Sequence, residues 1–238
     1  MALEKMRRRW EAALQPVLRS FHRFSPATVT WLALPFGVGG GLLAMYAPDN
    51  ASGGGWLLGG ALMIALAMLF DGLDGSLARA KGEVTRWGDY LDHTIDRLLD
   101  ATWVVCISAS VFVGDLTLGL AAAFLTLLGS YMGTQAQAVA GARNYRGFSR
   151  ADRTVLTLLS LVAMGVMLIA GVEVTTTYPS PYAHITVNPL SLIVFISALG
   201  GIWTFFVRFL QAKGEIQALD EREPLPQPNQ KAESDSSS

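Results

Sequence analysis

The chain has little cysteine and little charge, and both shortages restrict what it can be. The single cysteine, Cys106, excludes an internal disulfide framework. Only 16% of the 238 residues are charged whereas 51% are hydrophobic, which is too apolar for an ordinary soluble domain. We expect no cleavable signal peptide, because a long charged segment precedes the first apolar run. The composition therefore indicates an integral membrane protein.

Apolar runs of membrane-spanning length recur six times along the chain. About 20 mainly apolar residues in a helix cross the roughly 30 Å hydrocarbon layer. The predicted spans are residues 29–46, 56–70 with an extension into the next segment, 90–113, 116–142, 154–172 and 190–210. The sequence therefore predicts an all-α integral membrane protein, with a bundle of six transmembrane helices in one domain over residues 25–212.

Lysine and arginine are absent from one set of connecting loops. Residues 47–55, 114–115 and 173–189 contain neither, and all 18 lysines and arginines lie elsewhere in the chain. Cytoplasmic loops of membrane proteins carry an excess of these residues. We therefore expect a multi-pass protein of the plasma membrane, with both termini and the charged motif described below in the cytoplasm.

Two polar segments flank the predicted membrane domain. In residues 1–24, Trp10, Leu14 and Phe21 recur at helical spacing with arginines available for the other face. That pattern predicts an amphipathic helix on the cytoplasmic surface, and a charged leader that only sets orientation is the alternative. Residues 213–238 include a segment rich in proline and serine, and we expect a disordered cytoplasmic tail.

Four aspartates interrupt the second and third predicted spans, at Asp71, Asp74, Asp92 and Asp96. A charged aspartate well inside a bilayer costs roughly 2.5–3.5 kcal/mol, so four of them require a compensating partner. Spacings of three and four residues place each pair on one helix face. Carboxylate oxygens favour Mg²⁺ or Mn²⁺, and four are enough for two ions, which commonly hold a phosphoryl group. The sequence therefore predicts a two-ion site at a membrane face.

The neighbours of these aspartates indicate a phosphate-bearing substrate. Gly75 and Gly88 allow backbone or substrate to approach closely. Arg79 follows the first aspartate pair by about one turn and is placed to pair with a phosphate. The alternative is that the aspartates only pair with Arg79, Arg86 and Arg97 as topology anchors. Ion pairing alone would not need the glycines or the regular spacings.

The string D-x₂-D-G-x₂-A-R-x₈-G-x₃-D-x₃-D, which begins at Asp71, resembles the signature of the CDP-alcohol phosphatidyltransferase family at all eight fixed positions. The resemblance implies transfer of a lipid phosphate from a CDP-linked lipid to an alcohol, with release of CMP. It implies that Asp71, Asp74, Asp92 and Asp96 bind two metal ions, Mg²⁺ or Mn²⁺. It also implies that Asp96 is the general base for the acceptor hydroxyl, and that the protein is a homodimer.

The same resemblance implies a binding site for the CDP-lipid. The matching positions are Thr30, Gly75, Arg79, Thr85 and Gly88. Residues 25–27 read Ser-Pro-Ala where many members of the family read Thr-Pro-Asn. Asp100 continues the four-residue spacing beyond Asp96, and we expect it to be a packing partner of the site.

A second arginine-rich segment bears on the acceptor alcohol. Four arginines lie within residues 143–153, and they suit either an additional phosphate or positive-inside anchoring. Residues 133–139 (Gly-Thr-Gln-Ala-Gln-Ala-Val) and 150–153 (Arg-Ala-Asp-Arg) resemble archaeal members of the family that make inositol-phosphate ether lipids. This resemblance implies that Arg153 and Arg208 bind the acceptor phosphate, and Arg143 of the same arginine-rich segment is a further candidate. We therefore expect L-myo-inositol 1-phosphate as acceptor and CDP-archaeol or CDP-diacylglycerol as donor.

Other acceptors and other functions stay open on the sequence alone. Serine, glycerol 3-phosphate and free inositol are alternative acceptors. Membrane prenyltransferases also use aspartate-rich helices with Mg²⁺, and intramembrane carboxylates occur in ion or proton transporters. The expected partners are the two substrates, membrane lipids and a second copy of the chain, and we expect no nucleic acid.

Overall fold

The computed structural model describes residues 20–141, 146–173, 175–179 and 184–225, and most of them lie in six long helices. The helices are α1 (Pro26–Met45), α2 (Ala51–Lys81), α3 (Arg86–Ala109), α4 (Leu116–Ala140), α5 (Arg150–Ile169) and α6 (Pro189–Arg222). An antiparallel hairpin of β1 (Thr176–Pro179) and β2 (His184–Val187) lies between α5 and α6. The prediction of a helical membrane protein is confirmed, and the hairpin is a feature that the sequence analysis did not predict.

Five of these helices are long and apolar enough to cross a membrane, namely α1, α2, α4, α5 and α6. The remaining long helix, α3, carries the charges of the aspartate motif in its first half. Its second half is apolar and packs inside the bundle, where Leu99, Trp103 and Ile107 are buried. Large apolar side chains such as Trp31 and Phe124 are exposed on the outside of the protein, as expected for contact with lipid.

The turn between α2 and α3 sets the position of the aspartates. Gly82 ends α2 in the left-handed conformation, with φ of 69°, which glycine adopts at little cost. The Thr85 hydroxyl then accepts the backbone N–H of Gly88 at 3.0 Å and caps the start of α3. Because the turn is so short, the end of α2 and the start of α3 lie side by side at one end of the bundle.

Close helix packing holds this end of the bundle in place. α1 packs against both α2 and α3, α2 packs against α5, and α4 packs against α3 and α6. A side chain at Gly40 would come within 2.8 Å of the Gly60 carbonyl oxygen, so the α1–α2 contact requires glycine. The Trp103 indole N–H donates to the Gly37 carbonyl at 2.9 Å and links α3 to α1. Helices α1, α2 and α3 therefore pack closely together at the end of the bundle that carries the aspartates.

Several boundaries differ from those predicted by hydropathy: α2 begins at Ala51 rather than at residue 56, and α3 covers Arg86–Ala109 rather than residues 90–113. α5 begins at Arg150 rather than at residue 154, because Ser149 and Asp152 form a capping box that adds a polar first turn. α6 continues to Arg222, so the prediction that residues 213–222 belong to a disordered tail was wrong. Residues 1–19 of the predicted amphipathic helix and residues 226–238 of the predicted tail lie outside the described residues.

Candidate active site

The four motif aspartates meet where the end of α2 faces the start of α3. Asp74 and Asp96 are buried, with 6% and 7% of their surfaces exposed, and Asp71 and Asp92 are partly buried. The Asp71 carboxyl group interacts with those of both Asp92 and Asp96. The structure therefore brings the four carboxyl groups together, as the spacings predicted. Their assignment as metal ligands stays a prediction.

Asp74 is the most firmly held of the four. Its Oδ2 accepts a hydrogen bond from the Thr30 hydroxyl of α1 at 2.5 Å, and its Oδ1 accepts the backbone N–H of Gly75 at 2.5 Å. Such partners fix the orientation of a carboxylate that binds a metal ion. Thr30 was predicted to contact the CDP-lipid, and in the structure its hydroxyl contacts this carboxylate.

The donor atoms of the cluster fit a hard divalent cation. They are carboxylate oxygens, which Mg²⁺ and Mn²⁺ prefer over nitrogen or sulfur ligands. The His93 ring lies beside them, and one ligand atom from each of Asp92, His93 and Asp96 falls within 4.8 Å of the others. The chemistry of this donor set supports the predicted cofactor.

Arg150, at the first position of α5, reaches into the aspartate cluster and was not predicted as a site residue. Its Nη1 donates to Asp71 Oδ2 at 2.9 Å, and its Nη2 forms an ion pair with Asp96 Oδ1 at 2.8 Å. The Arg150 guanidinium therefore links α5 to α2 and α3, the two helices that carry the aspartate motif. It also offsets part of the negative charge of the aspartates. Its position depends on the α5 capping box, which places this arginine in the first turn.

A cavity of about 640 Å³ opens on one side of the aspartates. All five residues predicted to bind the CDP-lipid line it: Thr30, Gly75, Arg79, Thr85 and Gly88. Asp74 and Asp92 also contribute to the wall, so the cavity meets the predicted metal site directly. We call this space the first cavity.

A second cavity of about 280 Å³ is lined by four arginines, Arg97, Arg150, Arg153 and Arg208. The structure thus brings together Arg153 and Arg208, which were both predicted to bind the acceptor phosphate. It adds Arg97, which was not predicted there, and Arg150, which is one of the four arginines in residues 143–153. Arg143, the third predicted arginine, lies outside the described residues. Because Arg150 also contacts Asp71 and Asp96, the aspartate cluster lies between the two cavities.

Asp100 lies behind the second cavity and holds its arginines. The residue is 1% exposed and forms ion pairs with Arg97 at 3.4 Å, with Arg150 at 3.4 Å and with Arg153 at 2.5 Å. Arg208 is held differently, because its guanidinium donates to the carbonyls of Gly129 and Arg146 at 3.0 and 2.9 Å. The expectation that Asp100 packs beside the site is confirmed, and its partners are three arginines.

Comparison with known proteins agrees with this geometry. Residues 23–210 match the CDP-alcohol phosphatidyltransferase family. The chain belongs to the CDP-alcohol phosphatidyltransferase family. It is therefore a membrane-bound transferase of phospholipid biosynthesis, and the resemblance read from the aspartate motif is confirmed.

Similar members of the CDP-alcohol phosphatidyltransferase family are named as synthases of phosphatidylinositol phosphate or archaetidylinositol phosphate. The phosphatidylinositol phosphate synthase of Cutibacterium acnes is 29% identical over 171 residues, which are 68% of this chain and 79% of that protein. The archaetidylinositol phosphate synthase of Methanothermobacter thermautotrophicus is 34% identical over 152 residues, which are 63% of this chain and 75% of that protein.

Solved structures of another family member have the same fold. Crystal structures of the Mycobacterium tuberculosis phosphatidylinositol phosphate synthase, one with CDP-DAG bound and one with manganese and citrate, each match with a TM-score of 0.63 and 26% identity. In both cases the match covers 83% of this chain. It covers 92% of the chain in the CDP-DAG structure and 87% of the chain in the manganese and citrate structure. The relative therefore binds both a CDP-lipid and a divalent metal ion.

Proposed function

We propose that this enzyme transfers a lipid phosphate from CDP-archaeol or CDP-diacylglycerol to L-myo-inositol 1-phosphate and releases CMP. The observation that carries the proposal is the position of the aspartate cluster between a larger cavity and a smaller, arginine-lined one. The first cavity suits the CDP-lipid, and the second suits a small phosphorylated acceptor. The reaction needs both substrates at the carboxyl groups at the same time.

The metal ligands in this proposal are Asp71, Asp74, Asp92 and Asp96. Two Mg²⁺ ions, or Mn²⁺ in their place, would neutralise the diphosphate and stabilise the CMP leaving group when bound. Thr30 and the Gly75 N–H hold the Asp74 carboxylate in a fixed orientation. Thr85 and Gly88 shape the turn at the start of α3, and Arg79 supplies a charge for a donor phosphate.

Asp96 is the proposed general base. It accepts the proton of the acceptor hydroxyl, whose oxygen then attacks the lipid-side phosphorus, and the bond from this phosphorus to the CMP oxygen breaks. Its carboxyl group pairs with Arg150, which lines the second cavity, and this places Asp96 beside the proposed acceptor site. A correctly placed base contributes about 10²–10⁴-fold to such a reaction.

The charge of the second cavity favours a phosphorylated acceptor. Four arginines line it; Asp100 pairs with three of them, and Arg150 also pairs with Asp71 and Asp96. A phosphate group suits the remaining positive charge, because guanidinium groups bind phosphate oxygens in pairs. Serine or free inositol would bring no such anion. The names of the relatives favour inositol 1-phosphate over glycerol 3-phosphate.

The proposed setting is a plasma-membrane homodimer with six spans in each subunit and the site on the cytoplasmic side. The distribution of lysine and arginine supports this orientation, since the loops at the other end contain neither. In this arrangement α3 completes the set of six spans, and the buried aspartates of this helix have a charged partner on α5 rather than lipid. Arg150 provides that contact through Asp96 and Asp100.

An acceptor panel tests the proposal directly. Purified enzyme with CDP-lipid and Mg²⁺ is supplied in turn with inositol 1-phosphate, glycerol 3-phosphate, serine and inositol, and CMP release is measured. We expect robust CMP release with inositol 1-phosphate and little with the other three. Turnover of serine without turnover of inositol 1-phosphate would show that the proposed acceptor is wrong.

Replacing Arg153 with alanine should weaken binding of the acceptor. A hydrogen bond to a charged group contributes about 1.5–3 kcal/mol, so we expect the KM for inositol 1-phosphate to rise by roughly 10- to 150-fold. The KM for the CDP-lipid should stay close to wild type. Steady-state kinetics with each substrate varied separately measure both values. Arg222→Ala, at the exposed end of α6, is the matched control, and equal effects on both KM values would indicate general damage instead.

A further inference from the structure

The Thr126 hydroxyl is a buried polar group in the wall of the second cavity. Thr126 lies on α4 and is 4% exposed, and its Oγ1 has no hydrogen-bond partner among the residues that the structure describes. A buried polar group left unsatisfied costs roughly 1–3 kcal/mol. Since this one lines a cavity, a bound molecule can supply the missing partner.

Other threonines of the bundle satisfy their hydroxyl groups within their own helix. Six of them lie within hydrogen-bond distance of the carbonyl oxygen four residues earlier: Thr30, Thr94, Thr102, Thr154, Thr157 and Thr204. This bond is the usual solution for threonine in an apolar helix. Thr126 does not make it, so its hydroxyl group is left for a partner outside α4.

The chemistry around Thr126 indicates what that partner is. Arginine side chains donate hydrogen bonds and accept none, whereas a hydroxyl group does both. Arg153 is 6% exposed, and its Nε likewise has no hydrogen-bond partner within the described part of the chain. No carboxylate lines the described wall of this cavity, and Ser130 adds a second α4 hydroxyl one turn after Thr126. A ligand that fits carries a phosphate for the arginines and hydroxyl groups for α4.

We propose that Thr126 is a further acceptor-binding residue, which hydrogen-bonds a ring hydroxyl of the phosphorylated polyol while the arginines bind its phosphate. The inference rests on the proposed function, because it takes the second cavity as the acceptor site. It assigns α4 a part in selecting the acceptor, in addition to α3, α5 and α6. The ring hydroxyl that Thr126 contacts in this proposal is not at the reacting phosphorus. Thr126 therefore contributes to binding of the acceptor rather than to the chemical step.

The test compares Thr126→Val, which keeps the shape and removes the hydroxyl group, with Thr126→Ser, which keeps the hydroxyl group. We expect Thr126→Val to raise the KM for inositol 1-phosphate about tenfold, the equivalent of one hydrogen bond. The kcat and the KM for the CDP-lipid should stay near wild type, and Thr126→Ser should restore most of the acceptor affinity. Thr117→Val, at an exposed position of the same helix, is the matched control.

The design separates this inference from the proposed function. If the wild-type enzyme does not turn over inositol 1-phosphate, the proposed function fails before any variant is made. If the wild type does and Thr126→Val leaves the acceptor KM unchanged, or raises the CDP-lipid KM equally, the role of Thr126 is overturned. Thr126→Ala provides a second hydroxyl-free variant in case valine lowers the melting temperature in detergent, and it should show the same rise in acceptor KM.

Discussion

Asp96→Asn is expected to reduce turnover by about 10²–10⁴-fold, the contribution of a positioned general base, while binding of the CDP-lipid stays measurable. The asparagine side chain keeps the size of the aspartate but cannot accept the proton of the acceptor hydroxyl. The first cavity does not include Asp96 in its wall, so the donor site is preserved. CMP release gives turnover, and titration with a CDP-lipid gives binding. Asp220→Asn, an exposed aspartate of α6, is the control variant.

Asp96 is also a predicted metal ligand, and a second variant separates the two roles. Asp71→Asn removes a proposed metal ligand that is not the proposed base. Its Mn²⁺ binding therefore serves as the reference for the loss of a ligand. We expect Asp96→Asn to retain measurable Mn²⁺ binding through the other three carboxylates and yet to lose turnover. If Asp96→Asn loses Mn²⁺ binding as completely as Asp71→Asn, its effect is that of a ligand, and the assignment of Asp96 as base is wrong. Substantial residual turnover would contradict the assignment equally.

The aspartate cluster could be predicted because its geometry is local. Spacings of three and four residues on a helix, with a short turn between α2 and α3, bring four carboxyl groups together without any knowledge of the rest of the fold. Of the residues predicted for the first cavity, Gly75, Arg79 and Gly88 were read from the same segment. Thr30 and Thr85 were found through the family resemblance rather than through spacing.

Arg150 could not be predicted as part of the cluster because its contacts are distant in sequence. Its hydrogen bond to Asp71 joins residues 79 positions apart, and no periodicity in either segment records that pairing. The Arg208 contact with Gly129 spans 79 positions as well. Arg153 and Arg208 were named only because the family resemblance supplied them. The packing of α5 and α6 then determines which arginines share a cavity.

Helix ends and the hairpin were missed for a different physical reason. Hydropathy detects apolar runs, so it overlooks the polar first turn of α5 and the polar last turns of α6, which are helical for local reasons such as capping. The hairpin strands read Thr-Thr-Tyr-Pro and His-Ile-Thr-Val, and their β-branched and aromatic residues are a strand signal that could have been recognised.

Asp100→Ala should lower the stability of the folded protein by about 3–5 kcal/mol, the usual cost of removing one partner from a buried ion pair. The carboxylate is 1% exposed and lies among Arg97, Arg150 and Arg153, whose charges lose their shared partner in the variant. Asp100→Asn should cost less, because its amide oxygen still accepts a hydrogen bond from Arg153. Thermal and denaturant unfolding in detergent measure both variants, with Asp220→Ala as the exposed control.

Added phosphate distinguishes a structural role of Asp100 from a role in the acceptor site. If the three arginines face the second cavity as described, inorganic phosphate should bind there in Asp100→Ala and recover part of the lost stability, because it supplies the missing negative charge. The wild-type protein should gain less from the same phosphate concentration. Equal stabilisation of both proteins would mean that Asp100 does not act on the arginines of this cavity. A variant as stable as wild type would show that the ion pairs contribute little to folding.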